Sequence, residues 1–465
     1  MGSHTALLLL LAGCTLAPKY VRPEAPVSGV WPTPGAAAPG MDPAAAAEGA
    51  DATETGWRDF FPDARLQTLV ASALANNRDL RVSALSIERA RAMYRITRSD
   101  LLPAVSAEAS ALAPNPTTGS GALYEVGLQA AWEIDFFGRI RSLSDAALAE
   151  YLATEEAERS ARIGLVAEVA RAYLAERTYA EQLDLARRSL ATRKVSHDLN
   201  RQRFEGGVAS EIDFRQSESL VEAAQVSVAS LERQRAQAEN ALTLLVGAPI
   251  DQLPAPVALA DQSFGAGLAA GVPSEVLLER PDVRAAEQRL RGANADIGAA
   301  RAAFFPRISL TAGLGTASAD LLGLFAAGTG VWSFLPALTQ PLFKFGENQA
   351  NLKVAKVDKE IAVAQYEKAI QVAFREVADA LVARETLDTQ VAAQERLRDA
   401  EARRLALAQQ RYAAGLTSHL ELLDAERSLF DAERALLQAR QLRLANTVDL
   451  YAALGGGLQE RVAAE

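Results

Sequence analysis

Phe204-Glu205-Gly206-Gly207-Val208-Ala209-Ser210 returns, about 208 residues later, as Tyr412-Ala413-Ala414-Gly415-Leu416-Thr417-Ser418, and a constant offset of this kind is the mark of a duplicated structural unit. Leu244-Leu245-Val246-Gly247 recurs at the same spacing as Ala452-Ala453-Leu454-Gly455, and Phe137-Gly138-Arg139 as Phe345-Gly346-Glu347. Further upstream Asp79-Leu80-Arg81 pairs with Asp282-Val283-Arg284, and Leu102-Pro103 with Phe305-Pro306, at an offset of about 203. The chain is one unit written twice, with a short insertion between the two offsets.

The glycine-bearing segments interrupt two stretches that are otherwise built for helix. No proline occurs between Pro116 and Pro249, or after Pro341, and both stretches are rich in the strong helix formers Ala, Leu, Glu, Arg and Gln. From Arg139 to Phe204 a helix of about 66 residues would run on the order of 100 Å. A second of similar length fits Glu347 to Tyr412. Gly206-Gly207 and Gly415 suit left-handed C-caps, and Ser210 and Ser418 can cap the returning helices. Shorter helices fit about 63 to 100 and 274 to 303.

Between the short and long helices the period changes to two. Tyr124, Val126, Leu128, Ala130, Trp132 and Ile134 alternate with Glu125, Gly127, Gln129, Ala131, Glu133 and Asp135. Ile308, Leu310, Ala312 and Leu314 alternate with Arg307, Ser309, Thr311 and Gly313, while Ala104 to Ala113 and Trp332 to Thr339 alternate less cleanly. The organisation read from this is a leader over 1–13 and an extended Pro/Ala/Gly-rich tail over 14–62. Repeat 1 follows over 63–250, with strands about 103–113 and 122–135 and a helical hairpin over 139–247. After a linker over 251–273 comes repeat 2 over 274–456, with strands about 307–316 and 330–341 and a hairpin over 346–455. A C-terminal tail covers 457–465. Strands of about 10 residues match the length a tilted strand needs to cross a bilayer. Four strands cannot close a barrel, and an open edge in lipid leaves unpaired N–H and C=O groups, so several chains must combine. Tyr124, Trp132 and Trp332 are candidates for an aromatic belt at headgroup level.

Composition narrows the class. Net charge is −10 without a basic block, which argues against nucleic acid as a partner. One cysteine and three histidines leave no disulfide framework, metal cluster or Cys/His nucleophile pair. No glycine-rich phosphate loop is present, so no cofactor is expected and the abundant carboxylates read as solvated helix faces rather than catalytic groups. The lone Cys14 follows an apolar run, Leu7 to Leu11, and the small pair Ala12-Gly13. Leu11-Ala12-Gly13-Cys14 resembles a bacterial lipobox, in which the cysteine becomes the lipidated first residue; Thr15 follows it, and the segment before the run lacks Lys and Arg. A covalent lipid on Cys14, palmitate included, is the one non-protein group expected.

The lipobox, the duplicated helix-strand-strand-helix unit and the paired Phe/Tyr-x-x-Gly tips together resemble the TolC-like outer-membrane factors, the lipoprotein NodT-type branch in particular. Tyr20-Val21-Arg22-Pro23, Trp132 to Arg139, Arg280-Pro281-Asp282-Val283, Phe305-Pro306 and Arg411 to Gly415 carry the resemblance. It implies a mainly α fold with a small β part. Long antiparallel hairpins would form an α-barrel, and four transmembrane strands per chain would be completed as a 12-stranded β-barrel in a homotrimer. It implies an outer-membrane exit duct of an efflux or secretion system, with a periplasmic extension, docked by a periplasmic adaptor and an inner-membrane transporter. It further implies a periplasmic gate. Glu421 and Asp424 match two lumen-facing acids, spaced on one helical face, whose three-fold rings would raise carboxylate pKa values and attract cations. Tyr412 and Asp213 match a tyrosine–aspartate link between hairpins, while Thr417 stands where some members carry an ionic arginine. The tips, Gly206, Gly207 and Val208 with Gly415, Leu416 and Thr417, would face the adaptor. The alternative left by the residues alone is a soluble coiled-coil scaffold with a small sheet domain.

Overall fold

The computed structural model describes residues 15–32, 50–112, 122–250, 252–265, 267–269 and 273–460. Cys14, the leader, the connection between the first two strands and the last residues of the C-terminal tail lie outside the described residues. The elements in chain order are α1 (Trp57–Phe60), α2 (Ala64–Asn76), α3 (Arg78–Ser99), β1 (Ala104–Leu112), β2 (Leu123–Ile134), α4 (Arg139–Glu205) and α5 (Glu211–Val246). The second half continues with α6 (Pro273–Glu279), α7 (Pro281–Ala302), β3 (Arg307–Ser318), β4 (Gly330–Thr339), α8 (Glu347–Ala413) and α9 (His419–Ala453). The long helices α4 and α8 are each 67 residues, so the duplication holds at the level of elements. The chain divides into two compact units, one of residues 1–25, 84–157 and 282–369, the other of 26–83, 158–281 and 370–465.

The first unit carries a single antiparallel sheet in the order β1-β2-β3-β4. Ala104 pairs with Ala131 in the first hairpin, and Arg307 with Thr339 in the second. The two registers are therefore the same register, displaced by the two sequence offsets. A side-chain bond repeats it: Trp132 Nε1 donates to the Leu101 carbonyl at 3.0 Å, and Gln340 Nε2, its counterpart, donates to the Phe304 carbonyl at 3.1 Å. Directly opposed residues share a face. The cross-strand rows thus collect Val105, Ala107 and Ala109 with Val126, Leu128 and Trp132, with Ile308, Leu310 and Leu314, and with Trp332, Phe334 and Leu338, on one apolar face. Glu108, Glu125, Gln129, Ser309, Thr311 and Ser333 lie on the other. On the polar face Gly127 and Gly315 are directly opposed and closely packed; a Cβ on Gly315 would lie 2.6 Å from the Gly127 Cα. Every residue of β1 and β4 is exposed, as expected of two unpaired edges.

In the same unit residues 15–25 lie antiparallel along α7. Arg301 donates to the Leu16 carbonyl (2.9 Å) and Asn294 to the Pro18 carbonyl (2.7 Å), and Ala17 lies close to Gly298. Arg22 grips Glu287 bidentately at 3.0 and 2.8 Å, with Arg291 (2.9 Å) and the Tyr20 hydroxyl (3.1 Å) on the same carboxylate. Burial pushes the Glu287 carboxyl upward, but the bonds from Arg22 and Arg291 outweigh it and hold the group below its ordinary value.

The second unit adds to the reading of 14–62 as an extended tail, because the end of that segment packs into a core. Residues 15–32 are free of helix, but Trp57, Phe60 and Phe61 are buried, and Phe60 stacks on Tyr451 at 3.9 Å while Phe61 meets Phe264 edge-on at 5.1 Å. Asp63 caps α2, accepting from the Arg65 and Leu66 amides, and also accepts from the buried Tyr173 hydroxyl at 2.7 Å. Trp31 stacks on Phe374 at 4.9 Å. The C-terminal segment is docked too: the Trp57 amide donates to the Gln459 carbonyl at 2.9 Å. Apolar burial places these aromatics; composition alone reads the segment as linker.

Candidate functional site at the hairpin tips and on the sheet

Both tips lie in the second unit and are built alike. After α4, Gly207 takes φ +74, and the Val208 and Ala209 amides donate back to the Arg203 carbonyl. After α8, Gly415 takes φ +70, and the Leu416 amide donates to the Arg411 carbonyl. These are left-handed caps that close the last helical turn. Ser210 Oγ accepts from the Asp213 amide and donates to its carboxylate, and Ser418 Oγ accepts from the Glu421 amide. Gly206 completes the first turn, and Val208 and Leu416 are 82% and 68% exposed.

The side chains between the tips differ from expectation. The Tyr412 hydroxyl accepts from Arg203 Nη1 at 2.9 Å, whereas Asp213 is engaged by Ser210; among the described residues of one chain no bond joins Tyr412 to Asp213. His419 packs beside Tyr412 with ring centroids 5.4 Å apart, and Asn200 Nδ2 lies 3.3 Å from its Nε2. With the amide donating, the ring proton sits on Nδ1, which is buried and has no hydrogen-bond partner among the described residues. Burial pushes the His419 pKa down; the Asp213 charge opposes this and Arg203 adds to it. In the first repeat Phe204 stacks on Phe214 at 5.3 Å, and His197 stacks on the other side of that contact.

Asp424 accepts from Arg404 at 2.5 Å and from Arg427 at 2.7 Å. Within one chain the Arg404 guanidinium, with Arg427 beside it, holds the Asp424 carboxyl below its ordinary value; the upward shift expected of a ring of like charges concerns three copies together. Glu421 accepts from the Thr417 hydroxyl, so this tip residue is tied to one of the two acids. Sequence reasoning missed Arg203, Arg404, Asn200 and His419. The readable signal for Arg203 was the hydroxyl that Tyr412 adds over Phe204, which needs a donor or acceptor.

The three candidate belt aromatics stand on three register rows of the apolar face. Trp132 is half-buried near the helix-side end, Tyr124 opposes Ser318 at the loop end, and Trp332 opposes Leu314 between them, 78% exposed.

Against known proteins, the family model described as "Outer membrane efflux protein" matches residues 69–248 and 272–456, one stretch per repeat. The chain is 46% identical to the outer membrane protein OprJ of Pseudomonas aeruginosa, over 98% of this chain and 96% of that one. It is 46% identical to the toluene efflux pump outer membrane protein TtgF of Pseudomonas putida, over 97% and 96%. Among solved structures, the open state of the Neisseria gonorrhoeae MtrE outer membrane channel is 42% identical with a TM-score of 0.88, over 97% of this chain and all of that one. The chain belongs to the outer membrane efflux protein family, an efflux family rather than an enzyme family, and serves in the outer membrane as the exit duct of an efflux system.

Proposed function

We propose that three copies of this chain close a 12-stranded barrel, lined by the Glu108/Glu125/Gln129 face and clad in lipid by the Leu128/Leu314/Trp332 face. The observation that carries this reading is the sheet itself: two faces of opposite polarity and two open edges, which no membrane-spanning monomer tolerates. The helical hairpins of three copies form the periplasmic tunnel, and their tips receive a periplasmic adaptor coupled to an inner-membrane transporter. Relatives at 45–46% identity bear names for toluene, solvent and antibiotic efflux, which supports a passive duct that leaves the choice of cargo to the pump. Cys14 carries the lipid anchor of the NodT-type branch. Supporting this, the chain reaches Leu16 beside Arg301, next to the end of α7 and shortly before β3 begins. At the tips, Tyr412, Asp213, Glu421 and Asp424 hold the resting gate, with Arg203 and Arg404 as their cationic partners.

The test is mass measurement of the detergent-purified protein followed by insertion into planar bilayers. A trimeric mass with discrete conductance steps is expected. A monomeric, lipid-free particle that partitions into the aqueous phase and forms no pores would return the chain to the soluble-scaffold reading.

A further inference from the structure

The structure shows how the duplicated unit joins itself once, inside the chain, and leaves the second joint open. Within one chain β2 meets β3: Ile134 pairs with Ile308, and just beyond the strands Phe137 stacks on Phe305 with centroids 4.7 Å apart and planes 21° from parallel. The repeat offsets, which reproduce both hairpin registers and the Trp132/Gln340 bonds, turn Phe137 into Phe345 and Ile134 into Leu342. They turn Phe305 into Leu102 and Ile308 into Val105. All four counterparts are apolar and bare: Phe345 is 91%, Leu342 90%, Leu102 69% and Val105 69% exposed.

The second copy of the joint is also rewritten for an apolar partner. Asp135, which accepts from the Ile140 and Arg141 amides at the start of α4, becomes Phe343, which is 76% exposed and set edge-on to Phe345 at 4.6 Å. Phe345 holds φ +48, a left-handed conformation that a side chain with a Cβ adopts only against steric resistance, and its counterpart Phe137 needs no such conformation. Its phenyl touches Phe343 and is otherwise left open, at 91% exposure.

We infer that Phe345 of one copy packs on Leu102 of the next, as Phe137 packs on Phe305, and that β4 extends to Leu342 and pairs there with Val105 of the neighbouring copy. The inference rests on the closure by several copies proposed above and adds its register. The same displacement sets Leu338 opposite Ala109, and Thr339 opposite Glu108, across the seam. It keeps the apolar face continuous, since a slip of one residue would turn every β4 side chain to the wrong face. Pro336 and Pro341 have opposite parity along β4, so one of them withholds an N–H from the seam. Side-chain contacts such as Phe345 on Leu102 then carry more of the joint.

Thiol cross-linking of the full-length protein in outer-membrane vesicles tests this. Cys14 is the one native cysteine, so background is low. With a short bifunctional thiol reagent, Leu102→Cys combined with Phe345→Cys is expected to give dimer and trimer bands after denaturation. Either single variant should give none, and Phe137→Cys with Phe305→Cys should link only within a monomer. Val105→Cys with Leu342→Cys is the independent pair and is expected to link between chains as well. A trimeric particle in which neither pair links would overturn the joint while leaving the trimer standing. A stronger link from Val105→Cys to Gln340→Cys would overturn the register. A monomeric particle would sink the closure and the joint together.

Discussion

Tyr412 and Phe204 occupy the same place in the two repeats, yet only the tyrosine carries a hydroxyl to satisfy. Arg203 satisfies it, which makes the second tip a polar lock where the first is an aromatic stack. Tyr412→Phe is expected to loosen that tip by about 1 kcal/mol, kept small because the arginine is solvent-exposed. Faster amide exchange over 408–420 with unchanged exchange over 200–212 would check it. His419 supplies a pH dependence. Its folded pKa is depressed, so its contribution is full above the ordinary histidine value and is lost as pH falls through the lower folded value. Limited proteolysis of the tips should therefore accelerate in mildly acidic buffer, and His419→Phe should flatten that response. The residues of this cluster were legible one by one as helix-surface groups. Their pairing was not, because Arg203 and Tyr412 are far apart in sequence and only the folded hairpins bring them together.

At the scale of elements the sequence was more open to reading. Periodicity placed all four strands and both long hairpins, since a period of two and a proline-free run of strong helix formers have few other solutions. The close contact inside the sheet was less visible. Gly127 reads from sequence as one more member of the polar row, but its opposition to Gly315 across β2 and β3 makes glycine obligatory there. Gly315→Ala is expected to destabilise the sheet by about 1–3 kcal/mol through overpacking against the Gly127 backbone. A lowered unfolding midpoint in detergent, with helical content retained, would check it; an unchanged midpoint would mean that the sheet relaxes freely. The stretch before Asp63 shows the opposite failure. Its Pro, Ala and Gly content hides the few aromatics, Trp57, Phe60 and Phe61, that decide its place in the core.

For the whole molecule, the charge at the tips should govern what passes. Asp424 is paired by Arg404 and Arg427 within its own chain, so its removal leaves Arg404 with Glu401 alone and takes from Arg427 its carboxylate partner, which on the gate reading adds positive charge to every copy. Asp424→Ala is expected to reduce block by multivalent cations and to shift ion selectivity away from cations in planar-bilayer recordings. Wild-type selectivity and block in that variant would remove Asp424 from the gate. The duplication, the helix and strand periods, and the open-edged four-strand count were all determined by the amino-acid sequence alone. These are local or repeated properties, and each residue states them without reference to distant neighbours. Only the tertiary structure decided that Arg203 rather than Asp213 bonds Tyr412, that Asp424 is neutralised within its chain, and that Phe345 is turned outward where Phe137 turns in. Those outcomes depend on which side chains meet across elements far apart in sequence, and periodicity carries no information about that.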